Sequence, residues 1–161
     1  MKKVILLMAV VLSSLTMWAR TADEIINELR DEKHAQYITI GPTLLQLARG
    51  ASSDIPSMAE NITSVDVLNV EKCSGGVRKK FASRVDDMRK DARYEEAVSS
   101  TRDDERVYVL FASHGNIISE IVIATVGNDY ALVQIKGDMT REQLEEIMQK
   151  HGAKAASIIE G

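Results

Sequence analysis

Three apolar runs in the second half of the chain, joined by short turns rich in Gly and Asn, limit the fold more than any other feature. The runs are Val107–Phe111, Ile117–Val126 and Tyr130–Ile135. His114-Gly115-Asn116 and Gly127-Asn128-Asp129 separate them, and Gly and Asn adopt the positive φ angles that tight hairpins need. Strands connected in this way pair in sequence order. The pattern therefore predicts an antiparallel three-strand meander, against which the rest of the chain must pack.

The first part of the chain alternates between helical and extended patterns. Thr21-Ala22-Asp23-Glu24 has the form of a capping box and predicts the start of a helix. A strand at Tyr37–Ile40, a short helix at Thr43–Arg49 ended by Gly50, and a strand at Ile62–Val70 are expected to follow. The strand at Ile62–Val70 is apolar on both sides, or it is bulged near Val67.

A second helix of clear periodicity is predicted after the turn Cys73-Ser74-Gly75-Gly76. Its apolar residues recur at spacings of four, four and three, in the order Val77, Phe81, Val85 and Met88. This face is predicted to be buried against the meander. Thr140-Arg141-Glu142-Gln143 is another capping box, with Met139 and Leu144 placed as a hydrophobic staple, and the last helix should reach about Lys150 and close at His151-Gly152.

These elements predict the α+β class. The expected architecture is a single two-layer domain with packed helices on a largely antiparallel sheet that ends in the C-terminal three-strand meander. A ferredoxin-like arrangement is the nearest common plan, although the order of elements does not match it strand for strand. The domain is assigned to residues 20–152, with a loosely ordered tail at 153–161.

The first nineteen residues have the pattern of a secretory signal peptide. Met1-Lys2-Lys3 is cationic, Val4–Leu12 is apolar but too short to span a bilayer, and Ala19 is a small residue where cleavage is expected. No Cys follows the apolar run, so a lipid anchor is not expected. The sequence therefore predicts a periplasmic or secreted protein with signal peptide 1–19 and no stable membrane anchor after cleavage.

Composition excludes two classes of partner. The chain has 24 acidic and 20 basic residues and a formal net charge of −4, whereas nucleic acids and anionic membranes select for clustered Lys and Arg. Neither is therefore expected to bind. Cys73 is the single cysteine, so no internal disulfide is expected and stability must come from packing.

Several motifs of the second half are similar to those of a known family. They are Tyr94-Glu95-Glu96, Val107-Tyr108-Val109, Ile118-Ser119-Glu120, Leu132 to Gly137 and Thr140 to Ile147. On these motifs the chain resembles the small exported proteins of Bacteroidetes-type bacteria catalogued as domain of unknown function 4252. The resemblance implies a Gram-negative periplasmic or secreted setting, and it brings no activity, cofactor or catalytic residue. Some relatives are lipid-anchored, and this chain differs from them in lacking the Cys.

Cys73 is the one residue that suggests catalysis. It precedes a Gly pair and a helix start, where backbone N–H groups can stabilise a thiolate and lower its pKa. With His114 or His151 as the base, a thiol-dependent hydrolase is conceivable. The competing interpretation is a partly buried structural residue, with Ser74 as the helix cap. Since no spacing argues for a dyad, no catalytic residue is assigned.

Other polar residues do not form a recognisable site. His34, His114 and His151 lack the spacing of zinc ligands, and Asp86-Asp87 and Asp103-Asp104-Glu105 lack the alternating oxygens of a calcium loop. Gly75-Gly76 with Arg78-Lys79-Lys80 falls short of a phosphate-binding loop. No metal site, cofactor-binding site or cofactor is therefore predicted.

Both faces of the meander are apolar, which points to association. Tyr108, Leu110, Ile118 and Val122 accompany an equally apolar set that includes Val107, Val109, Phe111 and Ile123. A face not covered by helices would bind an unknown protein partner or form a homodimer, unless the four helices divide between the two faces. The predicted function is thus an exported interaction or binding module of the cell envelope, working through this meander face or through the loop Ala51–Asn61. The alternatives are the Cys73 hydrolase and a carrier or chaperone of apolar cargo.

Overall fold

A computed structural model describes residues 21–51 and 61–145 of the chain. The helices are α1 (Ala22–Leu29), α2 (Pro42–Ala51) and α3 (Gly75–Arg89), and the strands are β1 (Gln36–Ile40), β2 (Ile62–Asn69), β3 (Tyr94–Arg102), β4 (Glu105–His114), β5 (Ile117–Val126) and β6 (Tyr130–Thr140). A helical turn follows at residues 141–145. The predicted signal peptide, the tail 153–161, most of the loop Ala51–Asn61 and the end of the last helix lie outside the described residues.

The strands form one six-stranded sheet in the order β1-β2-β6-β5-β4-β3. Every neighbouring pair is antiparallel. The predicted α+β class and the meander are therefore confirmed. Because β6 lies between β2 and β5, the last strand in the sequence joins the two halves of the chain.

Strand β3 was not predicted. Its sequence, YEEAVSSTR, has little apolar alternation, and eight of its nine residues are exposed. The strand forms at the end of the sheet, where β4 supplies its hydrogen-bonding partners. Asp103 and Asp104 connect the two strands with φ angles of 47° and 67°, as a tight hairpin turn requires. The acidic cluster at these positions is therefore a turn.

Helices α1 and α3 pack on one face of the sheet, called the inner face below. Phe81, Val85 and Met88 have no solvent exposure, so the predicted buried face of α3 is confirmed. The Phe81 ring meets the Tyr130 ring edge-on, with the centroids 6.4 Å apart. The inner core also contains Ile25, Leu29, Leu68, Leu110, Val122 and Leu132. The helices thus bury the central part of the inner face, while the edge strands keep exposed residues there.

Both predicted capping boxes are present. The backbone N–H of Glu24 donates to Thr21 Oγ1 at 3.3 Å, and the Thr21 N–H donates to Glu24 Oε2 at 3.4 Å. At the start of the last helix, the corresponding distances between Gln143 and Thr140 are 3.2 and 3.0 Å. Each box satisfies two backbone donors that a helix start leaves unpaired.

The opposite face of the sheet, called the outer face, carries a continuous apolar row. The paired positions across all six strands are Ile38, Val67, Val133, Ile123, Val109 and Val98. We call these six residues the outer row. All six are β-branched valines or isoleucines, and each is in direct register with its neighbours on the adjacent strands. Strand β2 places Val65 and Val67 on the outer face and Leu68 on the inner face, and its irregularity lies between Ile62 and Ser64 rather than near Val67.

A smaller apolar cluster lies beside the outer row. Ile118, Ile121 and Met139 are buried together, and Leu144 of the helical turn at 141–145 packs against them. This contact agrees with the predicted staple of Met139 and Leu144. It also shows that the last helix starts on the outer side, so the helices do divide between the two faces at this end of the sheet.

The structure corrects the expected interface residues. Tyr108, Leu110 and Val122 are 4, 1 and 0 % exposed beneath the helices, so they belong to the core and do not form a free surface. A register shift between Ile118 and Glu120 changes the alternation of β5 and brings Ile118 into the outer cluster. The apolar residues at the alternate positions of the meander, including Val109 and Ile123, face the outer side, where they are half-buried and pack against the smaller cluster.

Candidate functional site

Cys73 lines a cavity of about 360 Å³ at the start of α3. Ser74 is the N-cap of α3, and its Oγ accepts a hydrogen bond from the Val77 N–H at 3.3 Å. His34, which has a positive φ of 72°, lines the same cavity together with Glu32. The fold therefore brings His34 to the cysteine. His114 lies at the end of β4 instead, and His151 is outside the described ranges.

The surroundings of Cys73 favour the protonated thiol. The residue is only 6 % exposed. Burial raises the pKa of the thiol, the nearby Glu32 carboxylate raises it further, and Arg78 opposes them. A nucleophilic cysteine needs the reverse shift, because the thiolate is the reactive form. The structural interpretation of Cys73, with Ser74 as the helix cap, is therefore the better supported of the two.

We expect Cys73 to react slowly with a thiol reagent. At neutral pH, a raised pKa leaves less thiolate in the folded chain than in the unfolded chain, and the thiolate fraction should rise only above the usual pH range of a cysteine. Stopped-flow measurement with iodoacetamide, with and without denaturant, checks this. A matched control is Ser83→Cys in a Cys73→Ser background, which places a thiol on the exposed side of α3. Faster reaction of Cys73 in the folded chain than in denaturant would restore the hydrolase hypothesis.

The acidic pairs considered for cation binding serve as structural contacts. Asp86 pairs with Arg89 at 3.6 Å, and Asp87 pairs with Arg84 at 3.8 Å. Gly75 and Gly76 form the first residues of α3, where the Ser74 cap already occupies a backbone donor. Among residues 21–51 and 61–145, no group of three His, Cys, Asp or Glu side chains is placed to hold a metal ion.

A buried polar network that the sequence analysis missed joins α1 to the centre of the sheet. Gln134 has no exposure, and its Nε2 donates to Asp23 Oδ1 and to Glu120 Oε1, both at 3.1 Å. The Tyr94 hydroxyl donates to the same Glu120 oxygen at 2.9 Å, and burial raises the pKa of Tyr94. Lys136 pairs with Asp23 at 2.9 Å. In the sequence, the network is indicated only by Gln134, a glutamine at an inward position of β6.

This network fixes the start of α1 against the sheet. The Ala22 N–H donates to the Tyr94 hydroxyl at 3.1 Å, so one tyrosine links the helix start to the carboxylate of β5. The hydrogen bonds of this network all join groups of the same protein, and among its buried side-chain atoms Gln134 Oε1 has no hydrogen-bond partner in the described chain. Paired carboxyl, amide and phenol groups of this kind stabilise a unique packing of the core. The network therefore explains how the start of α1 is positioned, and no catalytic role is assigned to it.

The outer row is the surface of the described chain least explained by internal packing. Its end residues Ile38 and Val98 are 59 and 40 % exposed. Helix α2, which contacts β2, adds Leu44 and Leu47, at 58 and 65 % exposure. Single exposed apolar residues are ordinary, but contiguous apolar patches mark contact surfaces. The outer row is therefore the candidate site on this face of the sheet.

Comparison with known proteins gives a family and no activity. A family model described as "Domain of unknown function (DUF4252)" matches residues 28–147. No curated protein and no solved structure matches the chain. Across the described residues, no helix has the length and apolar character needed to cross a membrane.

Proposed function

We propose, given that the chain belongs to the DUF4252 family and that this family carries no assigned activity, that it is an exported, non-enzymatic interaction module. Its binding surface is the outer row, and its partner is a protein that presents a complementary apolar surface in the cell envelope. Residues matched by the family model include every strand of the sheet, so the surface belongs to the family domain itself.

The observation that carries this proposal is the continuity of the outer row. Adjacent strands lie about 4.8 Å apart, so a row across six strands extends for about 24 Å. The neighbouring residues Val65, Ile135 and Phe111 lie on the same face and are half-buried, as are the four central residues of the row. Contiguous apolar surface that stays accessible is typical of protein contact sites. Val and Ile lose little side-chain entropy when they are covered, which suits them to a rigid contact.

The envelope location is supported by the sequence. Met1-Lys2-Lys3, the apolar run Val4–Leu12 and Ala19 form the signal peptide pattern, and the family resemblance implies a Gram-negative, Bacteroidetes-type origin. Fractionation followed by mass spectrometry tests this part of the proposal. The chain recovered from the envelope should begin within about three residues of Arg20, and an intact Met1 there would contradict export.

The binding surface is tested with a charge at its centre. Ile123→Lys places an ammonium group in the middle of the outer row and should abolish a partner complex while the monomer stays folded, because a charge is costly in an interface core. Size-exclusion chromatography of an envelope extract from the producing cells measures the complex. Ser83→Lys adds the same charge on the exposed side of α3 and should leave the complex intact.

Two results would contradict this proposal. If the wild-type chain migrates as a free monomer in the extract, no partner covers the outer row. If Ile123→Lys unfolds the purified chain, as judged by circular dichroism, the outer row belongs to the internal core. The second result would mean that chain outside the described residues covers the row.

The two alternative functions have less support. A thiol hydrolase would now use Cys73 with His34, since these residues share a cavity, but the raised thiol pKa argues against it. A carrier of apolar cargo needs an internal cavity. In the described ranges, the space between helices and sheet is filled by side chains such as Phe81, Leu68 and Leu132, all fully buried.

A further inference from the structure

We infer that β3 pairs edge to edge with β3 of a second copy of this chain, so that two sheets join across a two-fold axis. This surface is separate from the outer row, and the inference does not depend on the proposed function. It rests on three properties of β3, namely its exposure, the absence of charge and proline in its middle, and the self-complementary order of the charges near its ends.

Strand β3 offers free hydrogen-bonding groups along its length. It has nine residues, all exposed except the half-buried Tyr94, and within the described ranges it pairs with β4 and with no other strand. An edge strand directs alternate N–H and C=O groups away from the sheet. The other edge, β1, has five residues. The β3 edge is therefore the longer surface open to strand addition.

The middle of β3 carries no charge and no proline. Proteins protect edge strands with Lys, Pro, inward-pointing charges or bulges, and Ala97 to Thr101 contains none of the first three. A bulge lies between Glu96 and Val98, where Ala97 has no partner on β4, so Val98 to Thr101 is the part of the edge left open to pairing. Small side chains in this segment allow a second strand to approach closely.

The charges at the two ends of β3 favour antiparallel pairing with itself. Glu95 and Arg102 pair with Phe111 and Glu105 of β4, respectively, and these alternate positions place both residues on the outer face. If Ser99 lies on the two-fold axis and the bulge residue Ala97 is skipped, Arg102 of one copy lies opposite Glu95 of the second copy. Unlike charges in directly opposed positions stabilise a strand pair.

The ends of this edge are held in place by the rest of the domain. Glu96 accepts hydrogen bonds from Arg89 Nε at 2.7 Å and from Nη2 at 3.3 Å, and the Arg89 guanidinium lies 3.8 Å from the Tyr108 ring centroid. Glu95 pairs with Arg141 at 3.3 Å. Because β3 is already ordered, pairing costs less entropy than binding by a mobile segment. A second copy therefore meets a preformed edge.

Site-specific cross-linking tests the two-fold geometry directly. In a Cys73→Ser background, Ser99→Cys places the two thiols opposite each other, at a separation that suits a disulfide. Oxidation by copper phenanthroline should give a covalent dimer for Ser99→Cys and not for Ser83→Cys, whose thiol lies on α3. Absence of the Ser99→Cys dimer, together with a monomeric wild-type mass in light scattering, would overturn the inference.

Charge variants separate self-pairing from other contacts. Arg102→Glu sets two carboxylates opposite each other and should weaken the dimer at least about tenfold in sedimentation equilibrium, while Glu95→Lys combined with Arg102→Glu should restore it. Ile123→Lys should leave this dimer unchanged, so failure of the outer-row proposal is distinguishable from failure of this one. A double variant no better than Arg102→Glu alone would contradict the assigned register.

Discussion

Phe81→Ala should lower the free energy of unfolding by about 3–5 kcal/mol. The Phe81 side chain is fully buried on α3, and its ring packs against Tyr130 at the end of the sheet, so the substitution removes contacts and leaves a cavity. A domain of this size is typically stable by about 5–15 kcal/mol. The variant should therefore be close to the limit of folding. Urea denaturation followed by circular dichroism measures the loss.

Lys79→Ala is the control for this prediction. Lys79 is an exposed residue of the same helix, and its replacement should change the unfolding free energy by less than about 0.5 kcal/mol. Lys80 is less suitable because its ammonium group lies 3.8 Å from Glu28. Similar small losses for Phe81→Ala and Lys79→Ala would show that the buried face of α3 is misassigned.

Leu110→Lys should prevent folding, whereas Val109→Lys should be tolerated. The two residues are neighbours on β4, yet Leu110 is 1 % exposed beneath the helices and Val109 faces the outer side in the outer row. A lysine at position 110 would bury an unpaired charge, which costs several kcal/mol or more. A lysine at 109 can extend its ammonium group to water. Thermal unfolding of both purified variants measures the difference.

The contrast between adjacent positions makes this test specific. If Val109→Lys also failed to fold, the packing of Val109 against the cluster of Ile118, Ile121 and Met139 would make the outer row part of the core. If Leu110→Lys melted like the wild type, α1 and α3 would not cover the inner face. Only opposite outcomes at the two positions agree with the face assignment.

Local patterns were sufficient to predict the elements whose stability is local. The spacing of Phe81, Val85 and Met88 identified the buried face of α3, and Thr21 and Thr140 identified two helix starts through hydrogen bonds within four residues. The sequence of β3 has no such pattern, because an exposed edge strand needs no apolar face. Its extended conformation is stabilised by pairing with β4. The bulge in β5 shifted the face of Ile118, and bulges have no reliable sequence signal.

The surroundings of Cys73 are formed by residues that are far apart in the sequence. His34 and Cys73 line one cavity because the turn after α1 lies near the start of α3, and no spacing along the chain indicates that neighbour. The Gln134 network likewise joins residues of α1, β5 and β6. In the sequence the network is indicated only by Gln134, a polar residue between the inward positions Leu132 and Lys136. That Gln134 points inward can be recognised only when the sheet register is known.

The position of β6 has a consequence for the order of folding. Strands β3 to β6 can form by successive hairpins between neighbours in sequence, which is a rapid, local process. Strand β2 pairs later, since its pairing of Leu68 with Leu132 closes a long loop and requires β6, which follows every other strand of the described sheet. Strands β1 and β2 therefore have no partner in the rest of the sheet until β6 has been made. The domain should complete its fold in that order, with the amino-terminal strands joining last.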